Sequence, residues 1–168
     1  MLKSIFRNKG NWLRVIGLAV CVSFLVPHSA ATAVAITLVP KRDMKFGEFA
    51  ASIEGGGTVT LSPTSDSVTW SGSITNFGGT VRRARFQIVG QSNAYVIVSL
   101  PSSITIRKGS SNNYMTIDNF TMDKTNPVRL SNKGKKTINI GATLHIGTDQ
   151  KKGNYNDENT FTYIVEYL

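Results

Sequence analysis

Residues 137–146 alternate without a break: Ile138, Ile140, Ala142, Leu144 and Ile146 stand between Thr137, Asn139, Gly141, Thr143 and His145. Successive side chains of an extended chain point to opposite faces, so this stretch makes a strand with one apolar and one polar face. A helix would scatter the same residues around its circumference. The period of two recurs along the chain, in Met44 and Phe46, Val59 and Leu61, Val68 and Trp70, Ile104 and Ile106, and Met115 and Ile117. Ala84, Phe86 and Ile88 oppose Arg83, Arg85 and Gln87, and Phe161, Tyr163, Val165 and Tyr167 alternate to the chain end. Tyr95 to Leu100 is apolar almost throughout and reads as a central strand covered on both faces. Asp118 and Asn119 interrupt the 115–122 run and predict a bulge. No segment of ten or more residues carries the 3.6-residue period.

Composition agrees with that pattern. Val, Ile and Thr number 14, 14 and 17, against only 4 Glu, a balance that favours strands over helices. Eight to ten short strands, punctuated by the glycines at 55–57, Pro63, Ser65-Asp66 and Pro101, predict an all-β fold. The expected architecture is an antiparallel immunoglobulin-like β-sandwich, with an up-and-down barrel as the alternative. A membrane barrel is disfavoured by the short strands and the lack of aromatic girdles.

The first 35 residues have another character. Lys3, Arg7, Lys9 and Arg14 precede an uncharged run from Val15 to Val26, followed by Pro27 and the small-residue stretch at 29–35. This is the order of a secretory signal peptide. The run is shorter than the roughly 18–20 residues that span a bilayer, so no permanent membrane anchor is expected. Ala33 and Ala35 satisfy the small-residue rule for cleavage after Ala35, and Ala31 and Ala33 satisfy it for cleavage after Ala33; the boundary is read at Ala35. The chain then divides into a signal peptide at 1–35, an N-terminal extension at 36–43 and a sandwich domain at 44–168. The formal charge of +9 falls to +5 once the four leader cations are removed, and the single cysteine, Cys21, leaves with them. An exported domain without disulfides must be held by its own apolar core, which some 130 residues can supply.

MKFGEFA at 44–50, GGGTVTLSP at 55–63, the glycine pair 78–79 and LPSSITI at 100–106 form the first half of an ordered pattern. MTIDNF at 115–120, IGATLHIG at 140–147 and GNY at 153–155 before a closing aromatic strand form the second. In that order the chain resembles the bacterial secreted family catalogued as domain-of-unknown-function family 4402, over about 44–168. The resemblance implies bacterial export to the periplasm, cell surface or medium and a sandwich fold, and it supplies no catalytic residues. The chain is richer in basic residues than family 4402 usually is, and it is also loosely similar to the subunits of chaperone-usher fibres.

Enzyme chemistry finds little to work with. The mature chain has one histidine, His145, which the alternation places on the solvated face opposite Leu144 and Ile146. No GxSxG, HExxH or GxxxxGK[ST] motif is present. Asn154, Asn156, Asp157 and Glu158 lie in a turn with oxygen ligands but match a calcium loop poorly, so no metal or other cofactor is expected. Arg82, Arg83 and Arg85 are candidate contacts for a surface polyanion or glycan. Basic side chains on strands also deter edge-to-edge aggregation. Nucleic acid is not an expected partner, since aromatic residues do not interleave the cations and the chain is exported.

The remaining signal lies at the two ends. Ile36 and Leu38 begin a short alternating segment suited to add as a strand to another subunit, and Phe161, Tyr163, Val165 and Tyr167 form the terminal alternation that a fibre subunit presents to its chaperone. The expected function is a cell-surface or fimbria-like structural subunit, assembling by strand addition with other copies or a periplasmic chaperone. The alternatives are a self-contained adhesion module and a structural envelope protein.

Overall fold

A computed structural model of the chain describes residues 34–110, 112–156 and 163–168. The signal-peptide reading, apart from its last two residues, lies outside the described residues, as do Ala33 and Phe161. The described residues form β1 (Thr37–Arg42), β2 (Lys45–Ala51), β3 (Gly57–Leu61), β4 (Val68–Gly72), β5 (Ile74–Arg82) and β6 (Ala84–Val89). There follow β7 (Tyr95–Ser99), β8 (Ser103–Arg107), β9 (Tyr114–Met122), β10 (Val128–Arg129), β11 (Lys135–Ile146) and β12 (Ile164–Tyr167). Among these residues there is no helix, and every strand pairing is antiparallel.

The strand with the cleanest alternation is the spine of the fold. Lys135–Ile140 of β11 pair with β6, and Thr143–Ile146 pair with β3. Ile140 faces both Ala84 and Met122, and Thr143 both Thr60 and Asp118, so β6 and β3 lie end to end on one edge of β11 while β9 takes the other. At the junction Gly141 has no room for a side chain, because a Cβ there would strike the Leu61 carbonyl. The sheet runs β1-β6-β11 in one half and β4-β3-β11-β9-β8 in the other, and among the described residues it ends on edge strands rather than closing. The barrel alternative is thereby set aside in favour of a sandwich.

Two smaller sheets complete the second layer. The β10-β7-β12 sheet packs with Phe86 and Ile88 of β6 and Ile138 and Ile140 of β11 to enclose one core, which also contains Val96, Val98, Val128 and Leu130. The β2-β5 sheet contributes Phe46, Phe49, Ala51, Ile74 and Val81 to a second core around Val59, Leu61, Ile106, Ile117, Ala142, Leu144 and Ile146. All five even-numbered apolar residues of β11 from 138 to 146 are buried, three in one core and two in the other. A strand of period two presents them all to one side.

Three details differ from the sequence reading. The segment 36–43, read as an extension, forms β1 and pairs with β6. Only Val96 and Val98 of β7 are buried, and Tyr95 and Ile97 face outward, so that apolar run is covered on one face rather than two. Among the described residues the terminal strand is Ile164–Tyr167, and Tyr163 stands just before it rather than within it. The bulge at Asp118–Asn119 is present: two steps on β11, from Gly141 to Thr143, face three on β9, from Thr121 to Asp118, and Asn119 adopts a left-handed φ of 48°.

Candidate strand-exchange site

β1 is an edge strand. Thr37 to Pro40 pair with Val89 to Phe86, and Lys41 is then squeezed out, so that Arg42 faces Arg85. Pro40 has no N–H to give, which a strand bonded along one side tolerates. Ile36 and Leu38 are half-buried and pack into the core shared by β6, β7, β10, β11 and β12. Asp43 and Met44 alone connect β1, in one layer, to β2, in the other.

The chain end lines the same core from the opposite layer. β12 pairs with β7 from Ile164↔Ser99 to Tyr167↔Val96, and its other edge carries no strand among the described residues. Tyr163, Val165 and Tyr167 pack inward, and the Tyr163 ring stacks on Phe86 with centroids 4.2 Å apart. Burial pushes the Tyr163 hydroxyl above the usual tyrosine range. The Tyr167 hydroxyl accepts a 2.7 Å hydrogen bond from the Gln91 N–H and donates a 2.8 Å one to the Val34 carbonyl. Of the residues named from the sequence for strand exchange, Ile36, Leu38, Tyr163, Val165 and Tyr167 therefore meet around one core.

The three arginines do not form a free cationic surface. Asp66, in the β3–β4 turn, accepts two hydrogen bonds from Arg42 and one from the Arg83 backbone N–H, and the Arg83 side chain donates to the Pro63 carbonyl at 3.1 Å. Arg83 Nε lies 3.6 Å from Asp66, close enough for charge attraction but not for a hydrogen bond. Arg85 Nε donates to Asn139 Oδ1 at 2.8 Å, and Arg82 is exposed at the end of β5 opposite Lys45. The Arg83 N–H holds the Asp66 carboxyl below its usual range, with Arg42 adding to the effect.

His145 is on the outer sheet face, as alternation requires, and has a partner that spacing alone did not reveal: its Nε2 lies 2.8 Å from Asp118 Oδ1. Around this pair the face carries hydroxyls. Thr58 and Ser71 meet at 2.9 Å, Thr60 and Thr143 at 3.1 Å, and Thr116 and Thr105 are neighbours across β9 and β8. Of the calcium-like turn, Asn156 makes a backbone bridge to Arg107, while Asp157 and Glu158 lie outside the described residues. Among the described residues no three His, Cys, Asp or Glu side chains gather to hold a metal, and no helix is long and apolar enough to cross a membrane.

No curated protein and no solved structure matches this chain. The family comparison does give a match: residues 36–167, which include β1 as well as β12, fit the model described as a domain of unknown function, DUF4402, and the chain belongs to that family.

Proposed function

We propose that this protein is an exported structural subunit of the bacterial surface that assembles by giving its first strand to a neighbouring copy. The observation that carries this reading is the position of β1. It supplies Ile36 and Leu38 to a core built otherwise by the rest of the chain, is bonded along one edge only among the described residues, and is tied to β2 by two residues. A strand in that position makes the same ladder and fills the same core whether it comes from its own chain or another, so exchange costs little beyond the entropy of association. A short link between layers limits folding back and favours exchange.

The reading is tested by the solution state of the secreted protein. Concentrated full-length mature protein forms a ladder of oligomers, and a variant lacking residues 36–43 stays unassembled and takes up a synthetic peptide of that sequence. A full-length chain that remains monomeric at every concentration, together with a stable monomer after deletion, removes the proposal.

A second reading, a self-contained glycan-binding module, is favoured by the hydroxyl-rich outer face around His145 and Asp118. That face suits a neutral glycan better than a polyanion, because Arg83 and Arg85 are engaged within the chain. Binding of a neutral polysaccharide that is insensitive to salt and lost in a Thr58→Val, Thr105→Val double variant distinguishes it from strand exchange.

A further inference from the structure

Residues Val34 and Ala35 precede β1, yet the fold uses one of them. The Val34 carbonyl is the acceptor for the Tyr167 hydroxyl, whose own oxygen accepts from the Gln91 N–H. The phenol thereby has both its proton and its acceptor capacity engaged. The site is also built from the other side: Gly90 leaves room for the hydroxyl, since a Cβ there would sit 2.5 Å from Tyr167 Oη. A chain cut after Ala35 has no Val34, and the hydroxyl loses this partner.

The new terminal charge points the same way. Val34 is 51% exposed, so an ammonium on its nitrogen stands in water. Ile36 is half-buried with its side chain packed against the core shared by β6, β7 and β11. An ammonium there would be carried by a residue whose side chain packs against the core, a setting less open to water than that of Val34. Both cleavage positions satisfy the small-residue rule, through Ala31 and Ala33 or through Ala33 and Ala35, so the leader pattern does not choose between them.

We infer that the mature chain begins at Val34, released by hydrolysis of the Ala33–Val34 bond, and that Tyr167 holds this first residue as a lock fastening β1 to the C-terminal strand. The boundary lies two residues before the one read from the sequence. The inference rests on the reading that the protein is exported. It also gives strand exchange a control point: while the lock is closed β1 stays with its own chain, and opening it frees the strand from its first residue onward.

The full chain, expressed from its first codon in a bacterial host, is recovered from the periplasm or medium and its N-terminus determined by mass spectrometry. A start at Val34 is expected. A start at Ile36 overturns the inference and leaves export intact, whereas an uncut chain retained in the cytoplasm overturns both. In the exported protein, Tyr167→Phe keeps the ring in the core and removes only the hydroxyl, so amide exchange across Thr37–Arg42 should accelerate several-fold, roughly fivefold for the loss of one hydrogen bond. Exchange in β3 should be unchanged. Equal exchange of β1 in the two proteins overturns the lock.

Discussion

Arg42 and Asp66 meet in a two-pronged ion pair, with Nη1 2.9 Å from Oδ2 and Nη2 2.7 Å from Oδ1. It joins the end of the first strand to the β3–β4 turn, and the Arg83 backbone N–H donates to the same carboxylate at 3.1 Å. The Arg83 N–H, reinforced by the Arg42 guanidinium, lowers the Asp66 pKa in the folded chain. The folded state therefore binds the proton less readily than the unfolded one. The resulting stability is complete above the ordinary carboxylate value near 3.9 and is lost as pH falls through the lower folded value.

Asp66→Asn should accordingly be less stable than the parent at neutral pH, modestly so because the pair is exposed and screened. The difference should shrink as pH drops below about 4. Urea unfolding of both proteins from pH 6 to pH 2 measures it, and a gap that persists undiminished at pH 2 contradicts the assignment.

Asp123 and Asn139 make a second, more enclosed junction. The Asp123 carboxylate accepts from the Asn139 N–H at 2.9 Å, from Asn139 Nδ2 at 2.7 Å and from Lys124 Nζ at 2.8 Å. The Asp123 N–H returns a bond to the Asn139 carbonyl at 3.0 Å, so the side chain extends the β9–β11 ladder past the end of β9. Burial raises the Asp123 pKa, but the hydrogen bonds from Lys124 and Asn139 outweigh it and leave the value lowered. Asp123→Ala leaves a backbone N–H on the spine strand without its acceptor and should cost about 2 kcal/mol. Denaturant unfolding reads this, and a loss under about 0.5 kcal/mol would show that water replaces the carboxylate.

Much of this architecture was legible in the alternation. Ile138 to Ile146 determined the inward face of the longest strand, β11, and the polar pair Asp118–Asn119 announced the bulge in its neighbour β9, because both effects depend only on residues next to one another. The role of 36–43 was harder to read. A strand of six residues with proline in it resembles a tail until its partner, β6, is known. Contacts such as Tyr167 to Val34, Asp118 to His145 and Asp66 to Arg42 join residues 133, 27 and 24 positions apart. They depend on register and topology, which local periodicity does not encode. The same blindness made Arg83 and Arg85 look available, when folding gives each a partner.

β11 passes through both cores, and this predicts how the molecule unfolds. Ile138 belongs to one core and Leu144 to the other, yet they are residues of one continuous strand. Ile138→Ala and Leu144→Ala should each cost about 2–5 kcal/mol. Both should shift one common transition, since losing either core frays the strand that the other needs. Calorimetry decides this: two resolved transitions, each sensitive to one substitution, would show that the halves fold independently.

Gly90 and Tyr167 provide the sharpest test of packing at the chain ends. A Cβ at Gly90 would meet Tyr167 Oη at 2.5 Å, Leu130 Cδ1 at 3.2 Å and Tyr167 Cζ at 3.3 Å. The tightest of these contacts is to one oxygen. Gly90→Ala should therefore destabilise by about 1–3 kcal/mol, as forced overpacking does. In a Tyr167→Phe background the oxygen is gone and the remaining distances are ones a side chain adjusts to by a few tenths of an ångström. The cost of Gly90→Ala should fall by at least half in that background, giving a double-mutant coupling of about 1 kcal/mol. If the two effects simply add, the hydroxyl does not occupy the space above Gly90, and the close packing of the last strand against the β6–β7 turn is not what keeps residue 90 a glycine.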